Sequence, residues 1–290
     1  MYKNDWSLII FTLLTQMSVG IILVLTVLYF YPQSSLQPFC EGIVILSPHF
    51  IALAAIVLAT FISFLHLGYP ANAFNAANNF ASSWLSREIL GIGLFGVGVL
   101  LIFLQFWLGW ESALFQKFVF VFGSALGLLL IYFMSRIYMI RTIPAWNTWF
   151  TPFHFFMSAL VLGLMVVVGF YITNPAFTSI NVILLRTVSA LLLFQLFAAF
   201  LINNRLVKMD HSGIETPDFV SGSYHSLYLI RLFIIFISAL FTAYLSLKLP
   251  SMEVTFTPLI RFYTMVLFLI IFEEIIGRFM FYFGYYRIGV

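Results

Sequence analysis

Eight long apolar runs organise the chain, at residues 7–30, 43–65, 89–108, 118–140, 153–172, 182–202, 227–247 and 259–283. A helix rises about 1.5 Å per residue and the hydrocarbon core of a bilayer is about 30 Å thick, so roughly 20 apolar residues cross it once. Every run reaches that length, and none breaks into the short alternating strands of a membrane barrel. The predicted fold class is an all-α integral membrane protein with eight transmembrane helices and both termini on the same side. Residues 1–290 form a single membrane domain in this reading. The breaks carry residues that cannot continue a helix: Tyr31-Pro32-Gln33, Gly68-Tyr69-Pro70, Asn174-Pro175 and Pro250, with Pro144 and Pro152 bracketing the fourth turnaround. The first run reads as a retained helix, not a cleaved leader. It is too long, only Lys3 flanks it, and no small-residue cleavage site follows. The longest connections, 67–87 and 203–226, lie on the side of the N-terminus, here called side A.

Composition sharpens this picture. Apolar residues make up 63% of the chain and charged residues 8%, which is too little charge to cover a soluble protein of this size. A disordered chain is excluded by the hydrophobicity. Thirteen basic and ten acidic residues, net +3, do not form the clustered basic face of a nucleic-acid binder, so no nucleic-acid partner is expected. Cys40 is the single cysteine, which excludes an internal disulfide and a cysteine-ligated iron–sulfur cluster within the chain.

Ionisable residues at membrane depth are costly and mark candidate sites. The eighth run holds Glu273-Glu274-Ile275-Ile276-Gly277-Arg278. Glu274 and Arg278 are four residues apart and share a helical face, so they can pair, either to fix helix register or to serve a ligand. Glu273 points about 100° away and needs another partner or a proton. His66 closes the second run, where an imidazole can cap free carbonyls or pass a proton. Ser86-Arg87-Glu88 opens the third run, with Ser86 in the place of an N-cap and Glu88 suited to the positive end of the helix dipole. Arg136-Ile137-Tyr138 ends the fourth run on the same side, so side A gathers His, Glu, Arg and Tyr from four helices. The turn Pro144-Ala145-Trp146-Asn147-Thr148-Trp149 lies there too and can be an interfacial belt or a docking surface.

The order of these motifs resembles the membrane anchor subunits of anaerobic dimethyl sulfoxide reductases over essentially the whole chain. The resemblance rests on Leu8-Ile9-Ile10-Phe11-Thr12, Leu65-His66-Leu67-Gly68-Tyr69-Pro70, Ala73-Phe74-Asn75 and Leu85-Ser86-Arg87-Glu88-Ile89. It continues in Arg136-Ile137-Tyr138, Pro144-Ala145-Trp146, Trp149-Phe150-Thr151-Pro152 and Glu274-Ile275-Ile276-Gly277-Arg278 with Phe281-Tyr282. Arg87 departs from the family's neutral polar residue and takes no family role. The resemblance implies an eight-helix anchor without haem or iron–sulfur cluster of its own. It implies that menaquinol binds near the face that meets an iron–sulfur electron-transfer subunit, which passes electrons to a molybdopterin catalytic subunit in anaerobic respiration. By matching position, His66 and Glu88 are the leading quinol-binding candidates, followed by Arg136, Tyr138, Glu274 and Arg278. No residue of the chain is expected to catalyse the terminal reduction.

Sidedness is read in two ways. Nine of the basic residues (Lys3, Arg87, Arg136, Arg141, Arg205, Lys208, Arg231, Arg278 and Arg287) fall on side A and four on side B, which by the positive-inside rule makes side A cytoplasmic. The resemblance implies the reverse, an inner-membrane protein whose partner subunits meet side A in the periplasm. It takes precedence, because Arg136 and Arg278 lie inside helix ends and not in loops. Two other classes compete with the leading reading. A haem b-containing cytochrome anchor needs paired axial histidines, and of His49, His66, His154, His211 and His225 only His66 and His154 share a level. A secondary transporter would suit the charges of the eighth run, but it calls for repeats and broken helices at the midplane.

Overall fold

The computed structural model describes residues 5–31, 47–65, 79–110, 112–210, 223–251 and 256–283. Among the described residues, eight α-helices fall on the eight apolar runs: α1 Asp5–Phe30, α2 Pro48–Ser63, α3 Trp84–Trp107, α4 Ala113–Tyr138, α5 Phe150–Tyr171, α6 Thr178–Asp210, α7 Ser223–Lys248 and α8 Phe256–Phe283. Short 3-10 turns at Pro175–Phe177 and Leu249–Ser251 precede α6 and follow α7, and no strand occurs among the described residues. Six of the helices, all but α2 and α8, are long and apolar enough to cross a membrane. The apolar α2 spans 16 described residues, and α8 carries Arg261, Glu273, Glu274 and Arg278 along its 28. Large apolar side chains such as Phe61, Leu94, Phe118, Phe197, Phe233 and Phe268 are exposed, while Thr12, Gln16, Gln195 and Glu273 are buried. Apolar surface outside and polar groups inside is the arrangement of a chain solvated by lipid.

The helices form two compact units. The first comprises Met1–Ile137 with Ser158–Phe170, the second Tyr138–Met157 with Tyr171–Val290. In the first unit, α1 is the hub. Its Ser18 Oγ donates to Ala52 O of α2 at 2.7 Å, and its Thr26 hydroxyl lies 2.7 Å from Ser124 Oγ of α4. Tyr29 Oη donates to Gln116 Oε1 at 3.0 Å. Gly20 meets the backbone of Ala159 and Gly163 of α5 so closely that a Cβ on either glycine would overlap main-chain atoms of the other helix. Small residues bring membrane helices together in this way, because lipid leaves no hydrophobic drive for association.

Capping sets the helix ends. Ser47 accepts from Phe50 N at 3.2 Å, and Pro48 takes the first helical position of α2, where its missing N–H costs nothing. The cap of α3 is Ser83, which accepts from Ser86 N at 3.3 Å, and not Ser86. The helix therefore starts one turn before the expected point, and Glu88 lies inside it. Gly109, at φ 63°, closes α3 with Trp110 N bonded to Gln105 O at 2.9 Å and Gly109 N to Phe106 O at 3.4 Å, a Schellman arrangement that only glycine adopts without strain. Pro152 is not outside α5 but in its first turn, where proline is tolerated.

The second unit builds on α6, α7 and α8. Its turn at 139–149 is held by Trp146, whose Nε1 donates to Phe281 O of α8 at 2.7 Å while its ring stacks on Phe281 at 5.4 Å. Asn181 Nδ2 donates to Tyr171 O at 2.7 Å, and Ser189 Oγ donates to Ala239 O at 3.0 Å, which ties α6 to α7.

Candidate functional site

The sequence candidates divide between the two units. His66 lies outside the described residues, and α2 ends before it at Ser63 with Phe64 as its cap. Glu88 and Arg136 belong to the first unit; Tyr138, Glu274 and Arg278 belong to the second.

In the first unit, Glu88 is buried on the inward face of α3, one turn after Trp84 and one turn before Gly91. Its carboxyl forms no hydrogen bond or ion pair with another described residue. Gly91 brings α3 close to α4, since a Cβ there would stand 3.3 Å from Leu130 Cδ1 and 3.4 Å from Phe133 Cδ2. The Trp84 ring takes two guanidinium groups, Arg87 at 4.1 Å and Arg136 at 5.0 Å from its centroid. Arg87 also donates to Phe80 O at 3.0 Å and Ala81 O at 2.8 Å, so it caps the approach to its own helix. A buried acid at membrane depth can bind a polar ring substituent and accept a proton from it.

In the second unit the polar groups form one network. Arg231 Nε of α7 donates to Glu273 Oε2 of α8 at 3.1 Å. Gln195 Nε2 of α6 donates to Glu273 Oε1 at 3.0 Å and to Glu274 Oε1 at 3.2 Å, so both carboxyls share one donor. Glu273 is fully buried and Glu274 nearly so. Arg278 lies 3.9 Å from the centre of the Phe155 ring and within electrostatic reach of Glu274, Tyr138 and Tyr282. His154 is near both Arg231 and Arg278. Tyr138 is enclosed by the rings of Trp146, Phe155, Phe281 and Tyr282, all with centroids 5.3–5.8 Å away. Two carboxyls and two guanidiniums thus gather on two helices, bridged by the Gln195 amide of a third, a balanced set that a hydrocarbon interior can hold.

Sequence reasoning places Glu274 near Arg278 and leaves Glu273 in need of a partner; the partner is Arg231. It misses Arg231 and Gln195 as site residues. Arg231 counts there as a side A charge, although it stands eight residues after the start of a spanning helix, where an arginine needs a partner. Gly277 enters the sequence reading only as part of a motif. A Cβ there would stand 2.6 Å from Arg231 Cζ, so the missing side chain makes the bed on which the guanidinium lies. Of the remaining described histidines, buried His49 packs 4.1 Å from the Phe106 ring, and His225 faces Tyr228.

Six apolar helices long enough to span, with lipid-compatible apolar surfaces and with Glu88, Glu273, Glu274 and Arg278 buried, define an integral membrane protein of the multi-pass helical class. The chain belongs to the DMSO reductase anchor subunit (DmsC) family, whose model matches residues 1–284. It is similar to the YnfH chain of an anaerobic dimethyl sulfoxide reductase of Escherichia coli, at 27% identity over 298 residues that cover 99% of this chain and 97% of that one. It is similar also to the C chain of the anaerobic dimethyl sulfoxide reductase of Haemophilus influenzae, at 29% over 59% of this chain and 60% of that one. A third relative is the C subunit of the sulfite dehydrogenase of Allochromatium vinosum, at 29% over 44% of this chain and 43% of that one.

Proposed function

We propose that this chain is the membrane anchor and quinol-oxidising subunit of a three-subunit dimethyl sulfoxide reductase-type molybdoenzyme. It binds menaquinol and delivers electrons to an iron–sulfur subunit, which supplies a molybdopterin catalytic subunit in anaerobic respiration. The observation that carries this reading is the family match over residues 1–284.

The chemistry assigns roles. Quinol oxidation releases two electrons and two protons, so the site needs proton acceptors and hydrogen-bond partners for two ring oxygens. His66 and Glu88 are the acceptors in this reading. Burial of Glu88 supports it, because an ionisable group at membrane depth is a candidate for binding and proton transfer. Arg136, held on the Trp84 ring, supplies a donor in the same unit. Tyr138, Glu274 and Arg278 are the quinol-binding candidates that the second unit offers. Cys40 alone cannot ligate a cluster, so the electrons leave to a redox centre of the partner.

The chain is placed in the inner membrane with eight spans, and both termini and side A face the periplasm, where the partners dock. Protons released there leave on the side from which the electrons depart, and turnover is nearly electroneutral. The test replaces His66 with Arg and Glu88 with Gln in the assembled complex. Menaquinol-driven turnover is expected to fail while an artificial donor to the soluble subunits still supports reduction. Wild-type menaquinol turnover in both variants overturns the assignment.

A further inference from the structure

Among the described residues, three buried oxygens of the second unit have no hydrogen-bond partner: Asn181 Oδ1 and Gln195 Oε1 of α6, and Ser238 Oγ of α7. All three residues are fully buried. Buried polar atoms are normally paired with protein or with internal water, so three on two neighbouring helices call for an account. The amide of Gln195 cannot be turned round to supply one. That would aim Oε1 at two carboxyls that now accept from Nε2.

Register places these atoms on one line. The bond from Ser189 Oγ to Ala239 O puts those residues at the same level. Counting about 1.5 Å per residue from that level, Gln195 lies ~9 Å and Ser238 ~1.5 Å toward the Asp210 end of α6. Thr242 lies ~4.5 Å, Ser246 ~10 Å and Asn181 ~12 Å the other way. Ser238 and Thr242 fall within about 20° of Arg231 on α7, and Asn181 within about 40° of Gln195 on α6. Those faces meet α8 at Glu273. From Gln195 to Ser246 successive polar groups are therefore about 6–8 Å apart along the bundle, the span of two or three hydrogen bonds with one or two waters between, and Asn181 stands about 2 Å beyond the Ser246 level. Thr242 and Ser246 donate their hydroxyl protons to Ser238 O and Ala243 O of their own helix at 2.9 and 2.7 Å, which leaves their lone pairs for a water. Buried Tyr263 of α8, ten residues before Glu273, adds a hydroxyl near the Thr242 level. Hydroxyls that only pack helices bond to backbone and need no unpaired oxygens beside them.

We propose that α6, α7 and α8 enclose a water-threaded proton path from the Asn181–Ser246 end to the Glu273–Glu274 pair, where the proton binds. A water at the inner end of the path loses a proton to a Glu273 oxygen, and that water is re-protonated along the chain of groups from bulk solvent; no electron moves. The groups that face this proton are Glu274 and Arg278 of α8, Arg231 of α7, Gln195 of α6 and His154 of α5. The path does not depend on quinol oxidation.

The test is infrared difference spectroscopy on the purified complex that contains this chain, after a jump from alkaline to acid buffer. A protonated-carboxyl band that shifts in heavy water is expected, and E273Q removes it. Ser238→Ala with Thr242→Val leaves the network around Glu273 intact, so the band persists there even if E273Q fails to assemble. In that variant the band forms roughly tenfold more slowly, the rate equivalent of about one lost hydrogen bond. The proposal is overturned if the wild-type complex lacks the band, if the band survives E273Q, or if it forms equally fast in the double variant.

Discussion

Replacing Arg231 with leucine strips the cation bonded to Glu273 Oε2 and leaves a fully buried carboxyl with Gln195 as its remaining hydrogen-bond partner. Removal of one member of a buried ion pair costs about 3–5 kcal/mol, because the survivor keeps its desolvation penalty without its attraction. Glu273 is 0% exposed, but the Arg231 side chain is 11% exposed, so solvent already reaches part of the pair and the lower end, about 3 kcal/mol, applies. E273Q strands the guanidinium instead and costs a similar amount. The double substitution R231L/E273Q leaves no charge to strand and retains an amide that can bond Gln195, so it costs less than the sum of the single changes. A coupling energy of about 2–3 kcal/mol follows, at the upper end of that seen for contacting residues. The assay is a double-mutant cycle on reversible denaturant unfolding of the purified chain in micelles. Additivity within about 0.5 kcal/mol would show that the two charges do not support each other and would refute the reasoning.

Further outcomes follow from the same geometry. G277A drives a methyl into the Arg231 guanidinium and is expected to cost about 1–3 kcal/mol in wild type, but close to nothing in an R231L background; equal costs in both would break the link. G20A forces α1 from the α5 backbone, which cannot yield as a flexible side chain can. It should cost at least as much as G277A, and a wild-type melting curve would contradict that. Glu274→Gln and Arg278→Leu should show a coupling of the same sign as the Arg231–Glu273 cycle, and additive losses would separate them. In a C40S background, an impermeant thiol reagent applied to intact cells should label S82C before α3 and not S112C after it. The opposite pattern would invert the proposed sidedness.

Apolar periodicity makes the eight helices legible because lipid demands long unbroken runs, and each run holds a helix. Helix ends are less legible. Hydropathy marks where the chain meets hydrocarbon, not where hydrogen bonding stops, so α6 continues through Asn203, Asn204, Arg205 and Lys208 to Asp210, beyond the apolar run. Ser83, not Ser86, caps α3 because capping depends on backbone geometry that Ser-rich loops leave open. The polar network is half legible. The four-residue rule finds Glu274 and Arg278 on one helix, but it cannot find Arg231, 42 residues from Glu273, or Gln195, 78 residues from it. Only the tertiary fold brings α6 and α7 to that face of α8. The role of Gly277 is hidden for the same reason, since an absent side chain has meaning only once its neighbour is known.

The central claim is that this chain hands electrons from menaquinol to an iron–sulfur partner. The most direct measurement follows reduction of the partner's cluster signals by menaquinol, by electron paramagnetic resonance, in three preparations: the whole complex, the complex with Glu88→Gln, and the soluble subunits without this chain. The account predicts rapid cluster reduction in the whole complex alone, with an artificial donor reducing the clusters in all three. Menaquinol reducing the clusters equally fast in the absence of this chain would contradict it.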